Sequence, residues 1–467
     1  MPELIQAGMG AHISCARLAN ATSRLGALGV VSSVGLRHIV LQQVRTGDAE
    51  TIEIAKTFPI ARYIEDLLSY APGGKRHTRA TPIDVSDAVK GALAKRLSVI
   101  CAYIEVMRAK RGHRGMVGIN VMWKCALTVL PSIYGALLAG VDAFLCGAGV
   151  PMELPEIVHR MRRGQNLDYD PLTGTNTHVH MRIDDDDSAD LLSSKPMPKL
   201  IPILSNFAFC KRLLDTWNKR VEGSRPDAFV LENHAAGGHN AQPRDKSEFG
   251  EADNINAYFD KVLALGVPVY VAGAFEHGGS RKDLLYWQGR GAHGIQVGSR
   301  FALSAESGLR DDLKERTIQA SREGTLQVLT DARLSPTGFP FKFVPVEGTL
   351  GDQSVRDQQK RGCDLGYLLT SRTITQADGT EREVYLCPAM PEDQYVSLGG
   401  DLADTVGRLC LCNALLATAG YNKPDRPALV TLGESGVMTK EALTARQVVE
   451  DILTPEVVAR NEERLRL

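Results

Sequence analysis

The feature that most constrains this chain is an alternation of strand-like and helix-like stretches over its first two thirds. Short apolar runs fall at Leu4–Met9, Leu28–Ser32, Val117–Met122, Ala143–Cys146, Leu200–Leu204, Ala228–Leu231, Val267–Ala272 and Gly294–Val297. Helical patterns lie between them, among them Ala16–Leu25, Ala252–Leu265 and Arg281–Gly289. Eight strands joined through helices predict a parallel sheet closed on itself, a (β/α)8 TIM-type barrel of the α/β class. A doubly wound open sheet is the alternative arrangement of the same elements. No self-similar period of the solenoid kind stands out.

At 467 residues the chain leaves room for additions to a barrel. Two connections are too long for simple barrel loops. Val34 to Arg114 carries helical patterns around a break at Ala71-Pro72-Gly73-Gly74, and Gln165 to Pro198 is polar. The second insertion, between the fourth and fifth strands, is expected to act as a lid that sets substrate size. After Arg322 the alternation stops, and Ser335-Pro-Thr-Gly-Phe-Pro-Phe reads as a turn-rich crossing segment. The expected organisation is a barrel over 1–335, with insertions at about 34–114 and 165–198, and a C-terminal extension over 336–467 packing on it.

Apolar content of 43%, charged content of 23% and a formal net charge of −1 are ordinary for a globular chain. Neither nucleic acid nor an anionic membrane is expected as a bulk electrostatic partner. The most apolar window, Ala126 to Met152, holds Pro131 and Asp142, so a helix followed by a strand is expected there rather than a membrane span. No export signal is read in MPELIQAGMG, and nine scattered cysteines then imply reduced thiols in a cytoplasm. Cys363, Cys387, Cys410 and Cys412 match no common metal-ligand spacing, and Cys410-Leu-Cys412 reads as buried small hydrophobes. The run Asp184–Asp187 reads as a solvated loop, and His178 with His180 lacks a nearby third ligand. No metal is expected.

The chemistry-bearing features are glycine turns at strand ends. Asp227 to Asn240 runs as a short strand into Gly237-Gly238-His239; PVYVAGAF ends in Gly273; GIQVGSRF turns at Gly298-Ser299-Arg300 before a helix. Glycines let backbone N–H groups approach a ligand closely, and the loops after the last two strands of a barrel are where such enzymes hold phosphate. Ser299 adds a hydroxyl donor. His239 follows the paired glycines and is the candidate catalytic group, with His234 ranked second and His12 a candidate for the rim. Cys146, in FLCGAG, is the one cysteine placed to be considered as a covalent nucleophile, and Gly433-Glu-Ser-Gly436 lacks the spacing of a hydrolase elbow.

The segments IQAGMG, GINVM, IPILS, AAGGHN, PVYVAGAF and GIQVGSRFALSAES occur in an order that resembles the nitronate monooxygenase (2-nitropropane dioxygenase) family, over roughly Leu4 to Phe343. That family comprises FMN-dependent (β/α)8 barrels and includes flavin-dependent enoyl-ACP reductases. The resemblance implies that Met9 and Gly10 lie against the flavin ring, that Asn120 hydrogen-bonds it and that Ser205 sits beside it. It implies that Gly237, Gly238, Gly273, Gly298 and Ser299 hold the phosphate and ribityl chain, and that His239 is the active-site histidine. Three departures stand out. The turn carries Ala235-Ala236 where many relatives have a carboxylate, Ala274 stands where many have a second glycine, and no histidine lies on Ile201–Ser205. IPILSNFAF is similar to the enoyl reductase branch.

The resemblance implies an FMN-dependent oxidoreductase of the nitronate monooxygenase type, oxidising alkyl nitronates with oxygen, with His239 as base or anion partner. The alternative is an NAD(P)H-dependent enoyl thioester reductase acting on acyl-carrier or polyketide-type substrates, which brings in an acyl carrier protein as partner. A non-enzyme alternative is an FMN- or phosphate-binding barrel that serves as a partner-docking module. A homodimer using the long insertions is compatible with the sequence.

Overall fold

The apolar runs become strands because a barrel buries both of their faces. In the computed structural model, which describes residues 1–77, 88–169, 179–181, 188–243, 249–376, 378–421 and 425–467, eight strands share one sheet. They are β1 (Leu4–Gln6), β2 (Gly29–Ser32), β3 (Val117–Met122), β4 (Ala143–Gly147), β5 (Lys199–Leu204), β6 (Phe229–Glu232), β7 (Val269–Ala272) and β8 (Gly294–Val297). Every neighbouring pair is parallel, and the spatial order β1-β8-β7-β6-β5-β4-β3-β2 follows the chain once around. The ends of that order also meet. Leu28 N donates to Leu4 O at 2.9 Å and Gln6 N donates to Leu28 O at 3.0 Å. The sheet is therefore a closed (β/α)8 barrel with no free edge, not an open doubly wound sheet.

Side chains alternate across each strand, as strand geometry requires. Ile5, Val30, Leu145, Ile201, Val230 and Tyr270 pack together as the barrel interior. Leu4, Val31, Ile119, Phe144, Leu231 and Ile295 belong instead to the layer shared with the helices. Helices Ala16–Arg24, Ala126–Leu138 and Arg281–Gly289 form where helical patterns or an apolar window predict them. Ala252–Leu265 does not form one helix. It splits into 3-10 turns at Glu251–Asp253 and Ile255–Ala257 and a short helix at Phe259–Leu263. The cause is local: Asn254 has extended backbone and its side chain accepts from Asn256 N, a bond that competes with helix continuation.

Among the described residues the β2–β3 connection holds four helices, the last being the long Ala88–Lys110, which packs against Ala16–Arg24 and Ala126–Leu138. The β4–β5 connection holds an antiparallel ribbon, Leu167–Tyr169 with Val179–Met181, and a helix, Ser188–Ser193. His178, the His180 side chain and Asp184–Asp187 lie outside the described residues.

Beyond the barrel the chain doubles back over its mouth. Strand Phe341–Phe343 pairs with Leu329–Asp331 on one side and with Gly238–His239 on the other, placing Phe341 opposite His239. Apolar clusters cross the 335/336 point: Ala11, Ile39 and Cys125 pack with Leu334, Phe341 and Leu411, and Ile13 and Leu303 pack with Val344 and Leu432. The last helices, Ala445–Leu453 and Pro455–Leu465, return to Ala16–Arg24, and Arg114 N donates to Leu465 O at 2.9 Å. Among the described residues no helix is long and apolar enough to cross a membrane.

Candidate active site at the barrel mouth

The uppermost inward-facing position of most strands opens into one cavity. Ser32, Asn120, Gly147, Ile203, Glu232, Ala272 and Gln296 occupy those positions on β2 to β8 and all line it. The cavity holds about 1210 Å³ counted out to its open mouth. Of the ten residues singled out from the sequence, Met9, Gly10, Asn120, Gly237, Gly238, His239, Gly273, Gly298 and Ser299 line it. Ser205, one residue past β5, is not among the lining residues.

The glycine turns are built for close approach. Gly273 has φ +77°, and a Cβ there would meet Ala236 N at 2.6 Å. Gly238 has φ +83° and open space where its Cβ would stand, so the cavity reaches its backbone. Only four residues, Ser299–Ala302, turn helically after Gly298.

His239 is half-buried, and what is exposed faces the cavity. Its Nε2 lies 2.7 Å from Ser335 Oγ, and its ring stands edge-on to Phe341 at 4.9 Å. Burial, and then the nearby Lys124 charge, push its pKa down to about 3. The imidazole is therefore neutral at neutral pH and acts as a hydrogen-bonding group rather than a strong base.

Two ionisable groups, Glu232 in the cavity wall and Lys124 behind it near His239, carry no motif of a site in the sequence. Glu232 ends β6 and faces the cavity; burial lifts its carboxyl to about 7, and among the described residues it has no hydrogen-bond or ion-pair partner. Strand parity is the signal for it: Glu232 lies two residues beyond the inward Val230 and one past the apolar run that ends at Leu231. Lys124 stands two residues past β3, 7% exposed, with Nζ 3.0 Å from the centre of the Phe339 ring. Burial lowers its pKa to about 7, and it too lacks a hydrogen-bonding partner among the described residues. Gln296 adds a buried Oε1 with no partner.

The third contribution comes from the C-terminal extension. Thr431, Leu432, Gly433 and Ser435 line the cavity beside the glycine turn. Gly433 N donates to Ser299 Oγ at 2.9 Å, and Glu434 N donates to Ala235 O at 2.9 Å. Lys342 Nζ fixes this segment from behind, 2.9 Å from a Glu434 carboxylate oxygen. The Gly-Glu-Ser-Gly stretch is thus a wall of the cavity. No described residue of the 165–198 insertion lines it.

The remaining candidates lie elsewhere. His12 has φ +63°, packs edge-on against Tyr421 at 5.0 Å and has Nδ1 3.9 Å from Glu105. His234 stacks on Phe249 at 4.8 Å. The Cys146 thiol is fully buried on β4 with its pKa driven far up by burial, so it offers no thiolate nucleophile. Among the described residues no group of three or more His, Cys, Asp or Glu is arranged to hold a metal ion.

Comparison with known proteins gives a family match over residues 200–333, to the model described as nitronate monooxygenase. A (3aS,4S,5R,7aS)-5-hydroxy-7a-methyl-1-oxo-octahydro-1H-indene-4-carboxyl-CoA dehydrogenase of Mycobacterium tuberculosis is 30% identical over 109 residues, 23% of this chain, and the match spans 28% of that relative's length. Among solved structures, FabK from Thermotoga maritima aligns over 99% of this chain and 94% of its own at 15% identity and TM-score 0.49. Nitroalkane oxidase from Streptomyces ansochromogenes aligns over 99% and 97% at 14% identity and TM-score 0.49.

Proposed function

With a nitronate monooxygenase family domain over residues 200–333 as the premise, we propose that this chain is an FMN-dependent oxidoreductase that reduces an activated alkene, an enoyl thioester, with electrons from NAD(P)H. The observation that carries the choice is Glu232. Saturating a carbon–carbon double bond consumes a proton, and a half-buried carboxyl lifted to a pKa of about 7 holds one in about half of the molecules at neutral pH. Oxidising a nitronate anion needs no such donor. Ile203, at the cavity wall on β5, keeps that side apolar.

The residues present fit the cofactor. Gly238, Gly273 and Gly298 leave room for backbone donors to approach a phosphate, and the partnerless Gln296 Oε1 and the Asn120 amide suit ribityl hydroxyls or ring N–H groups. When bound, FMN supplies the hydride chemistry that no side chain here can. The chain's own residues do the rest. The neutral His239, steadied by Ser335, hydrogen-bonds the substrate carbonyl; Glu232 delivers the proton; Lys124, near His239, favours negative charge developing on the carbonyl oxygen. The mycobacterial relative is named for a carboxyl-CoA compound, which supports a thioester carried on coenzyme A or a carrier protein.

Nitronate oxidation is the second reading, supported by the family match and by Lys124 near His239, which at a pKa of about 7 is charged in part at neutral pH and would be held charged by an anionic substrate. Anaerobic stopped-flow absorbance at the flavin band separates the two. Bleaching by NADPH, followed by recovery on adding an enoyl thioester, is expected. Bleaching by an alkyl nitronate and not by NADPH would overturn the reductase assignment. A colourless native protein would favour a phosphate-ligand docking module instead.

A further inference from the structure

A second cavity lies where residues 331–333 meet the C-terminal extension and shares no lining residue with the first. It holds about 880 Å³ counted out to its open mouth, smaller than the first on the same measure. Four arginines from three stretches line it, Arg333, then Arg356 and Arg361, then Arg408, with the carboxylates of Asp331 and Asp357. No ion pair links these carboxylates to the lining arginines among the described residues. Asp331 Oδ1 accepts from Arg333 N at 2.7 Å, and Asp357 Oδ1 accepts from the Gln353 amide at 2.7 Å. Four arginines face two carboxylates in the lining; Glu392 offsets Arg361 and Asp404 acts on Arg408 from outside it, which leaves Arg333 and Arg356 as the arginines without an ion-pair partner among the described residues.

Two of the arginines are anchored and two have donors to spare. Arg361 pairs with Glu392 at 2.8 Å and donates to Thr405 O at 2.6 Å, yet its Nε is buried without a partner. Arg408 donates from Nη1 to Arg333 O and Ser335 O, both at 2.7 Å, and burial, reinforced by Arg333, lowers its pKa against the pull of Asp404 and Asp331. The Arg333 guanidinium has no acceptor among the described residues. Arg356 lies over the Phe343 ring at 5.1 Å and spends one nitrogen on Gln353 at 2.7 Å, while its Nε is buried and unpartnered. Planar guanidiniums converging from several directions, with unspent donors, suit a tetrahedral oxyanion better than a planar carboxylate.

We propose that this cavity is a binding site for a compact phosphate dianion, either inorganic phosphate or a small phosphate monoester, held chiefly by Arg333 and Arg356. The site stands apart from the flavin reading and survives its failure. The test is calorimetric titration of the full-length protein as purified, with no flavin added, at ionic strength fixed with chloride. Inorganic phosphate and glycerol phosphate are the two probes. One saturable site is expected, and R333Q and R356Q are each expected to weaken it by roughly tenfold while leaving flavin absorbance unchanged. Tighter binding of the ester identifies an esterified source, and tighter binding of the free ion identifies inorganic phosphate. Among the described residues the Arg333 guanidinium has no hydrogen-bond partner, so R333Q is the variant expected to disturb the fold least, and an unchanged thermal unfolding midpoint checks this. The proposal is overturned by the absence of saturable heat up to about 10 mM of either probe, or by unchanged affinity in both variants.

Discussion

At the scale of single residues, Glu232 makes the boldest demand on the fold. Its carboxyl titrates near 7 in the native protein against about 4.5 unfolded. Between those values the native state holds a proton that the unfolded chain has released. Stability therefore falls as pH rises through that window, and the loss is complete above about 7, on the order of 3 kcal/mol. Glu232→Gln keeps the shape and removes the titration. Chemical denaturation should find the variant more stable than the parent at pH 8, with the gap closing toward pH 5; a constant gap would mean Glu232 is not buried as a neutral acid. In stopped flow the same variant should accept electrons from NADPH normally but return them to an enoyl thioester at least ~100-fold more slowly. His239 works in the opposite direction. Its pKa of about 3 against 6.5 unfolded means that stability is full above 6.5 and drains away as pH falls toward 3. His239→Gln should flatten that acid limb of a stability-versus-pH curve.

At the scale of elements, the turn Ala235–Gly238 and the segment Leu432–Glu434 form a backbone-to-backbone seam. A Cβ at Gly433 would stand 2.9 Å from Ala235 O and 3.1 Å from Gly237 N, and one at Gly237 would stand 2.8 Å from Gly433 N. Gly433→Ala should cost about 1–3 kcal/mol in denaturation and weaken flavin retention on gel filtration, because backbone on both sides must give way. Gly436→Ala is the control: its nearest atoms are side chains of Leu432 and Ser299 at 3.1–3.3 Å, so the loss should be smaller. Equal losses would deny the seam its role. The sequence made the Gly237-Gly238-His239 side of this seam legible, since a strand ending in paired glycines is a local signal. It made the other side illegible. Gly433-Glu-Ser-Gly436 meets the turn from nearly two hundred residues away, and no local pattern announces such a meeting. The same distinction governs the fold. All eight strands follow from local apolar runs, whereas the broken helix at 251–263 turned on one Asn254 side chain.

At the scale of the whole molecule, the extension is part of the barrel's core. Leu334, Phe341, Leu411 and Leu429 are buried with Ala11, Ile39 and Cys125, and the final helices cover Ala16–Arg24. A chain ended at Ser335 should therefore expose a broad apolar surface, seen as a collapse of the soluble fraction on expression and strong binding of a hydrophobic dye. A soluble, cooperatively unfolding 1–335 fragment would contradict that expectation.

The wall at Thr431–Ser435 has a consequence in time as well as in space. A ribosome delivers the glycine turns, His239 and all eight strands long before it delivers the stretch that closes the cavity beside them. Through the intervening synthesis the half-made chamber stands open on one flank. The chamber is complete only once Thr431–Ser435 has been added, so a ligand that needs this wall follows the barrel strands in the order of assembly rather than seeding them.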